Sequence, residues 1–369
     1  MNMIRCYLYN LYKKRINNVT MDPSVSTYVR GFHDIDAVSK MKYKPLGNTG
    51  LQISQLGYGG SGLAGVFKTT KDDESIAVLT QAIKKGINYI DTAPWYGNGK
   101  SETVLGQAFK NIPRDSFYVA TKVGRYEPDV EKMFDFSRER TMRSIDESLQ
   151  RMGIGYVDII QVHDMEFAPD LDIILNETLP ALQEIKDSGK ARFIGITGYP
   201  LENFRTIIEK SKVKIDTVLS YCRGCMFDSS IQDYIPYFKE KGLGILNASP
   251  IGMGLLCESG PPKWHPANHQ IKDNCQKAAK YCKDNNVDLA QLAVKHSLEL
   301  PGVASTITSS ESYDIVDKNL KLLSTNLTDK ERNVYNDVMK RFMEPLHKMN
   351  WEGIEVNQYR EKLAKLQDR

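Results

Sequence analysis

The chain has 369 residues and a formal net charge of +3, from 49 Lys and Arg against 46 Asp and Glu. So small an excess, with no dense basic cluster interleaved with aromatics, argues against a nucleic-acid partner. A composition of 41% hydrophobic and 26% charged residues is that of an ordinary globular chain, and no apolar run reaches the roughly 18 residues of a membrane span.

The first 40 residues read as a disordered extension. Residues 1 to 20 carry Arg5, Lys13, Lys14 and Arg15 and no acid. That is faintly like a mitochondrial transit peptide, but the stretch has no serine and only two arginines, so a cytoplasmic chain is expected. The cysteines, Cys6, Cys222, Cys225, Cys257, Cys275 and Cys282, are too sparse for a disulfide scaffold and fit a reducing compartment. Cys222 and Cys225 form a C-x-x-C, but no second pair completes a zinc set, so no metal is expected.

From about residue 42 the chain alternates strand-like and helix-like segments. "MKYKPLGNTGLQISQLG" carries a turn and reads as a hairpin. "LQISQLGYGG" ends in glycines and precedes a helical stretch over 72 to 85. "GINYIDTA", "FYVATKVG", "YVDIIQVHD", "ARFIGITG", "KIDTVLSYC", "GLGILNASP" and "GVASTITSS" follow as strands. Between them lie amphipathic stretches, for example 137 to 151, where Met142, Ile145, Leu149 and Met152 share one face. Strands that are almost continuously apolar and separated by helices predict a parallel sheet. Eight such units predict a closed (β/α)8 TIM barrel over residues 41 to 345, with an N-terminal hairpin and peripheral C-terminal helices. Residues 346 to 369 read as a charged tail or helix. Gly57, Gly59 and Gly62 spell G-x-G-x-x-G, but the next helix starts about ten residues later, so they make no dinucleotide fingerprint.

Several strands end in chemistry-bearing residues. Asp91 closes one, Lys122 another and His163 a third, Thr197 and Gly198 close a fourth, and Tyr96 lies in the loop after Asp91. The C-terminal strand ends of such a barrel converge on one face, where active sites of this fold sit. A free tyrosine has a pKa of ~10. A neighbouring lysine ammonium favours the phenolate. Asp91 would hold Lys122, His163 would orient the reacting oxygen, and Tyr96 would act as general acid or base. No side chain supplies a hydride, so a cofactor must carry it. Phosphates in barrels often sit near the seventh and eighth strands, and "SPIGMG" (Ser249, Ile251, Gly252, Gly254) and "TSS" (Thr308, Ser309, Ser310) are the candidates there.

The chain resembles the aldo-keto reductase family over about residues 42 to 322. "DTAPWYGNGKSE", "SRERTMRSIDESLQRMGIGYVD" and "ASPIGMGLL" carry the likeness in order. The resemblance implies a catalytic tetrad of Asp91, Tyr96, Lys122 and His163. "QVHDMEF", "NETLPALQ", "ARFIGITGYPL" and "LSYC" look most like the L-galactose dehydrogenase branch of sugar dehydrogenases. Where the family often places Ser-Asn and Gln on the nicotinamide amide, this chain has Thr197-Gly198 and Ser220, and Ala248 matches the aromatic that often stacks under the ring. Aligning "ITSSESYDIVDKN" by Asn319 puts Ser309 and Ile315 where members that use NADP carry Lys and Arg. Neither neutralises a 2′-phosphate, so NAD is expected over NADP. The expected substrate is a small sugar, with a broad carbonyl reductase and a non-catalytic regulatory barrel as alternatives. A monomer or small homo-oligomer with no membrane partner completes the expectation.

Overall fold

The computed structural model describes residues 23–65, 70–310 and 312–367. A short antiparallel hairpin comes first, β1 (Tyr43–Pro45) and β2 (Gln52–Ser54). Eight parallel strands then close into a barrel: β3 (Leu56–Gly59), β4 (Tyr89–Asp91), β5 (Tyr118–Val123), β6 (Val157–Val162), β7 (Ala191–Gly198), β8 (Thr217–Tyr221), β9 (Gly244–Ala248) and β10 (Ser305–Thr308). β10 pairs with β3 and completes the ring. Helices cover the outside, so strands such as β5 and β6 are buried along their whole length. This is why their sequences lack the alternation of a half-exposed strand.

Local signals set the helix ends. Ser137 accepts from the Arg140 N–H and starts the helix Arg138–Met152, and Gly153, at φ 65°, ends it in the left-handed region. The helical stretch before β7 is less regular than its apolar spacing suggests. A π turn, Ile174–Thr178, interrupts it just before Pro180, which has no N–H to donate to a regular ladder.

The hairpin plugs one end of the barrel. Leu46, Leu51 and Ile53 pack with Tyr89, Tyr118, Ile159, Leu219 and Leu246 in the barrel interior. The fit is close at Gly47, where a Cβ would meet the Gly244 nitrogen at 2.3 Å. The plugged end lies at the strand starts, so the opposite end is left for the site.

The disordered extension expected over residues 1 to 40 needs correction. Residues 1–22, including the stretch read for targeting, lie outside the described residues. Residues 23–40 are folded against the barrel: Thr27 accepts from Asn88 at 2.9 Å, Ser26 and Tyr118 share a hydrogen bond, and the helix Ile35–Lys40 buries Val38. The C-terminal helices lie outside the barrel, and the segment between them packs onto its mouth. Trp351 is buried against Tyr199, Phe227 and His265, all on loops at the barrel mouth, and its backbone N–H donates to the Tyr199 phenol oxygen at 3.2 Å. The helix Ile354–Gln367 follows and is tied back by Arg360, which donates to the Ala168 carbonyl at 3.1 Å. Among the described residues no helix is long and apolar enough to cross a membrane.

Candidate active site

The strand ends bring Asp91, Tyr96, Lys122 and His163 together. Asp91 is the last residue of β4, Lys122 lies near the end of β5, and His163 directly follows β6. The Lys122 ammonium donates to the Asp91 carboxylate, to the Thr92 carbonyl at 2.9 Å and to the Tyr96 oxygen at 3.2 Å. His163 meets the Tyr96 ring edge-on, with centroids 5.8 Å apart. Gln161, inside β6, donates to the other Asp91 oxygen at 2.9 Å. The carboxylate is thereby fixed from two sides.

The electrostatics of this group are set by burial and by the one ion pair. Burial disfavours the Lys122 charge, but Asp91 and the phenol together outweigh it and hold the ammonium above its ordinary range. Tyr96 departs from the sequence expectation. Lys122 does favour its phenolate, but burial is the larger effect, Asp91 adds to it, and the phenol sits above its ordinary value. Burial pushes His163 down to about 3, against the opposing pull of Asp164 and with help from Lys122 and Arg125. The imidazole is therefore neutral, and its Nδ1 is buried with no partner among the described residues.

The residues expected to hold a cofactor line the same end of the barrel. Thr197 and Gly198 end β7, and the Thr197 hydroxyl accepts from the Asp164 N–H at 3.2 Å. Ser220 is buried on β8, in register with Gly198, and its hydroxyl has no partner among the described residues. Ser249 opens the loop after β9 at φ 57°, and Gly252 and Gly254 follow at φ 60° and 100°. Ile251 packs against the core between them. The thiols of Cys222 and Cys225 both donate to the Ser249 carbonyl, at 3.9 and 3.2 Å, so the C-x-x-C is a buried brace for this loop. Among the described residues no group of His, Cys, Asp and Glu could hold a metal.

At the end of β10, Thr308 is buried, and Ser309 donates to the Gly59 carbonyl at 3.1 Å and shares a hydrogen bond with Ser61 at 2.7 Å. The carbonyl of Ser310 accepts from Tyr58 at 3.0 Å. Of the three glycines of the G-x-G-x-x-G, Gly57 and Gly59 lie on β3 against β10, and Gly62 lies in the turn after it. Asn319 is buried in the helix Tyr313–Lys321, where its side-chain oxygen accepts from Gln291 at 3.0 Å.

The structure adds residues that strand-end reasoning did not single out. Arg125 donates to Asp164 at 2.7 Å, and its guanidinium stacks on Trp95 at 4.1 Å. Glu166 accepts from the Tyr199 N–H at 3.0 Å, while its Oε2 is buried with no partner among the described residues. Asp164 and Glu166 fall within "QVHDMEF", so a signal was present in that motif. Gln161 was also visible, as a lone polar residue inside an apolar strand.

A closed barrel with a buried acid, amine, phenol and imidazole at the C-terminal strand ends is the frame of an oxidoreductase acting on CH–OH groups. The sequence profile of the Aldo/keto reductase family matches residues 55–338, and the chain belongs to that family. It is similar to the L-galactose dehydrogenase of Arabidopsis thaliana, at 40% identity over 87% of this chain and 100% of the relative. It is also similar to the D-arabinose 1-dehydrogenase of Saccharomyces cerevisiae, at 30% identity over 76% of this chain and 89% of that one. The D-threo-aldose 1-dehydrogenase of a Pseudomonas species matches at 30%, over 70% and 85% of the two chains. Among solved structures, the holo form of an aldo-keto reductase from Bacillus halodurans superposes with a TM-score of 0.65 and 25% identity, covering 81% of this chain and 96% of its own.

Proposed function

We propose that the protein oxidises an aldose such as L-galactose at C1 to the lactone, with Asp91, Tyr96, Lys122 and His163 as the catalytic group and NAD preferred over NADP. The observation that carries this reading is the chain of contacts from Asp91 through Lys122 to the Tyr96 oxygen, beside a neutral imidazole. The three relatives named as aldose or L-galactose dehydrogenases support the sugar.

The residues present fit a nicotinamide. Its planar amide needs both donors and acceptors, and the buried Ser220 Oγ and Glu166 Oε2, without partners among the described residues, lie near Gly198 at the barrel mouth. The loop from Ser249 to Gly254 and the serines at 309 and 310 would hold the rest of the dinucleotide. When bound, the oxidised nicotinamide accepts the C1 hydride.

The chain's own residues then manage the proton. As the C1–H leaves as hydride, the C1 hydroxyl proton passes to the Tyr96 oxygen and the C1–O bond becomes a carbonyl. Lys122 stabilises the negative charge on the phenol oxygen before that transfer, and Asp91 with Gln161 keeps Lys122 aimed. His163, being neutral, can donate a hydrogen bond to the reacting oxygen without adding charge.

For NAD, the support is the absence of a ready cation at the two aligned positions. Ser309 is a hydroxyl already paired with Ser61, Ile315 is exposed and apolar, and the nearby Lys318 is paired with Asp314 at 2.8 Å. The test is a panel of aldoses and simple aldehydes with each cofactor, followed by reduced-nicotinamide absorbance and lactone analysis. Oxidation of L-galactose or a stereochemical relative with NAD is expected. Turnover of simple aldehydes with no aldose oxidised would overturn the reading in favour of a carbonyl reductase.

A further inference from the structure

Beside the tetrad lies a second group of charged side chains that the proposed chemistry does not use. It is built on Asp164, the residue after His163. Asp164 is held in the left-handed region at φ 49°, a conformation few side chains adopt without cause. Two contacts enforce it: the Asp164 N–H donates to Thr197, and one carboxylate oxygen, Oδ2, takes the Arg125 guanidinium at 2.7 Å. Arg125 is itself bracketed by aromatic rings, at 4.1 Å from Trp95, 5.2 Å from Phe134 and 5.6 Å from Phe167. The pair is clamped at the mouth, and the clamp fixes where the carboxylate points.

The direction is informative. Oδ2 is 3.6 Å from His163 Nε2, so the carboxylate stands next to the group that addresses the reacting oxygen. The second oxygen, Oδ1, takes no hydrogen bond from any described residue. A carboxylate oxygen left open one step from the reacting centre is a strong acceptor for a substrate hydroxyl. The nearest hydroxyl on an aldose reacting at C1 is the one on C2.

We propose that Asp164, clamped by Arg125, reads the hydroxyl on the carbon next to the one oxidised. The inference rests on the aldose-oxidising reading and names the residues that select its substrate.

The experiment compares kcat/KM of the full chain for L-galactose and 2-deoxy-L-galactose with NAD. The wild type should favour the 2-hydroxy sugar over the 2-deoxy sugar by about 10- to 100-fold, the scale of a hydrogen bond to a charged group. Asp164→Gly removes the carboxylate while tolerating the left-handed backbone, so it separates loss of the contact from loss of the turn. It should bring the ratio close to one, with Asp164→Asn in between. A ratio within one protein does not move when the variant merely loses active enzyme. A wild type that oxidises L-galactose but treats the 2-deoxy sugar equally, or an Asp164→Gly variant that keeps the full ratio, overturns the role of Asp164. A wild type that oxidises no aldose overturns the reading beneath, and this inference falls with it.

Discussion

The Tyr96 oxygen lies 3.2 Å from the Lys122 ammonium, and the same ammonium is anchored on Asp91 and on the Thr92 carbonyl 2.9 Å away. The phenol is thus the one partner of Lys122 that can reach outward to a substrate. Burial works against its ionisation and Lys122 works for it. That balance is what the first two predictions probe.

Replacing Tyr96 with Phe should lower turnover by about two to four orders of magnitude, the range of a general acid–base group, while the cofactor still binds. Steady-state rates together with a fluorescence titration of NADH separate the two effects. A variant keeping more than about a tenth of the activity removes Tyr96 from the role.

Lys122→Met should move the rising limb of the pH–rate profile for oxidation to higher pH. The sign follows from the site: the ammonium lowers the phenol's pKa, so its loss lets burial and Asp91 raise it further. The variant also leaves Asp91 buried without its counter-charge, a change that costs about 3–5 kcal/mol in comparable buried pairs. Pairing it with Asp91→Asn should recover stability without recovering rate. An active Lys122→Met with an unmoved profile contradicts the assignment.

His265 should make the protein's stability sensitive to acid. Its Nδ1 accepts from the Ala267 N–H at 3.1 Å and its Nε2 faces the Gly252 carbonyl at 3.0 Å, which fixes a neutral ring donating from Nε2. Burial pushes its pKa down to about 4 against the opposing pull of that carbonyl. A group lowered in the folded state is protonated first in the unfolded chain, so its contribution is complete above the unfolded value of 6.5 and is lost as pH falls below it. His265→Gln keeps one donor and one acceptor and has no titration. The stability gap between wild type and variant should therefore narrow by about 1.4 kcal/mol between pH 7.5 and pH 5.5. Denaturant melts at the two pH values measure it, and a constant gap would show that His265 does not titrate in this window.

Cofactor choice is tested by Ser309→Lys with Ile315→Arg. The wild type should prefer NAD, and the double variant should gain in kcat/KM with NADP by an order of magnitude or more, since two cations then meet the 2′-phosphate. A wild type that already prefers NADP contradicts the proposal.

Much of this architecture was legible in the sequence because each βα unit repeats the same physical signature. A strand buried on both faces is a continuous apolar run, so a polar residue at its end stands out, as Asp91, Lys122 and His163 do. What escaped notice depends on packing between distant segments. Nothing periodic marks Trp351 as a packing partner of the mouth loops or Thr27 as a partner for Asn88, and both lie in stretches whose local pattern is that of a solvated end. Arg125 and Asp164 each look like loop residues in the sequence, and only the adjacency of β5 and β6 pairs them. The direction of the Tyr96 shift was missed for a similar reason: charge partners can be guessed from strand ends, but the extent of burial cannot.

The most direct test of the central claim follows the hydrogen on C1. L-Galactose carrying deuterium at C1 is incubated with NAD and the purified protein, and the reduced nicotinamide and the sugar product are analysed by mass spectrometry. The account predicts one deuterium in each reduced nicotinamide formed, an equal amount of lactone, and loss of both in Tyr96→Phe. Reduced cofactor without the label, or no reaction with any C1-labelled aldose while simple aldehydes are reduced, would contradict it.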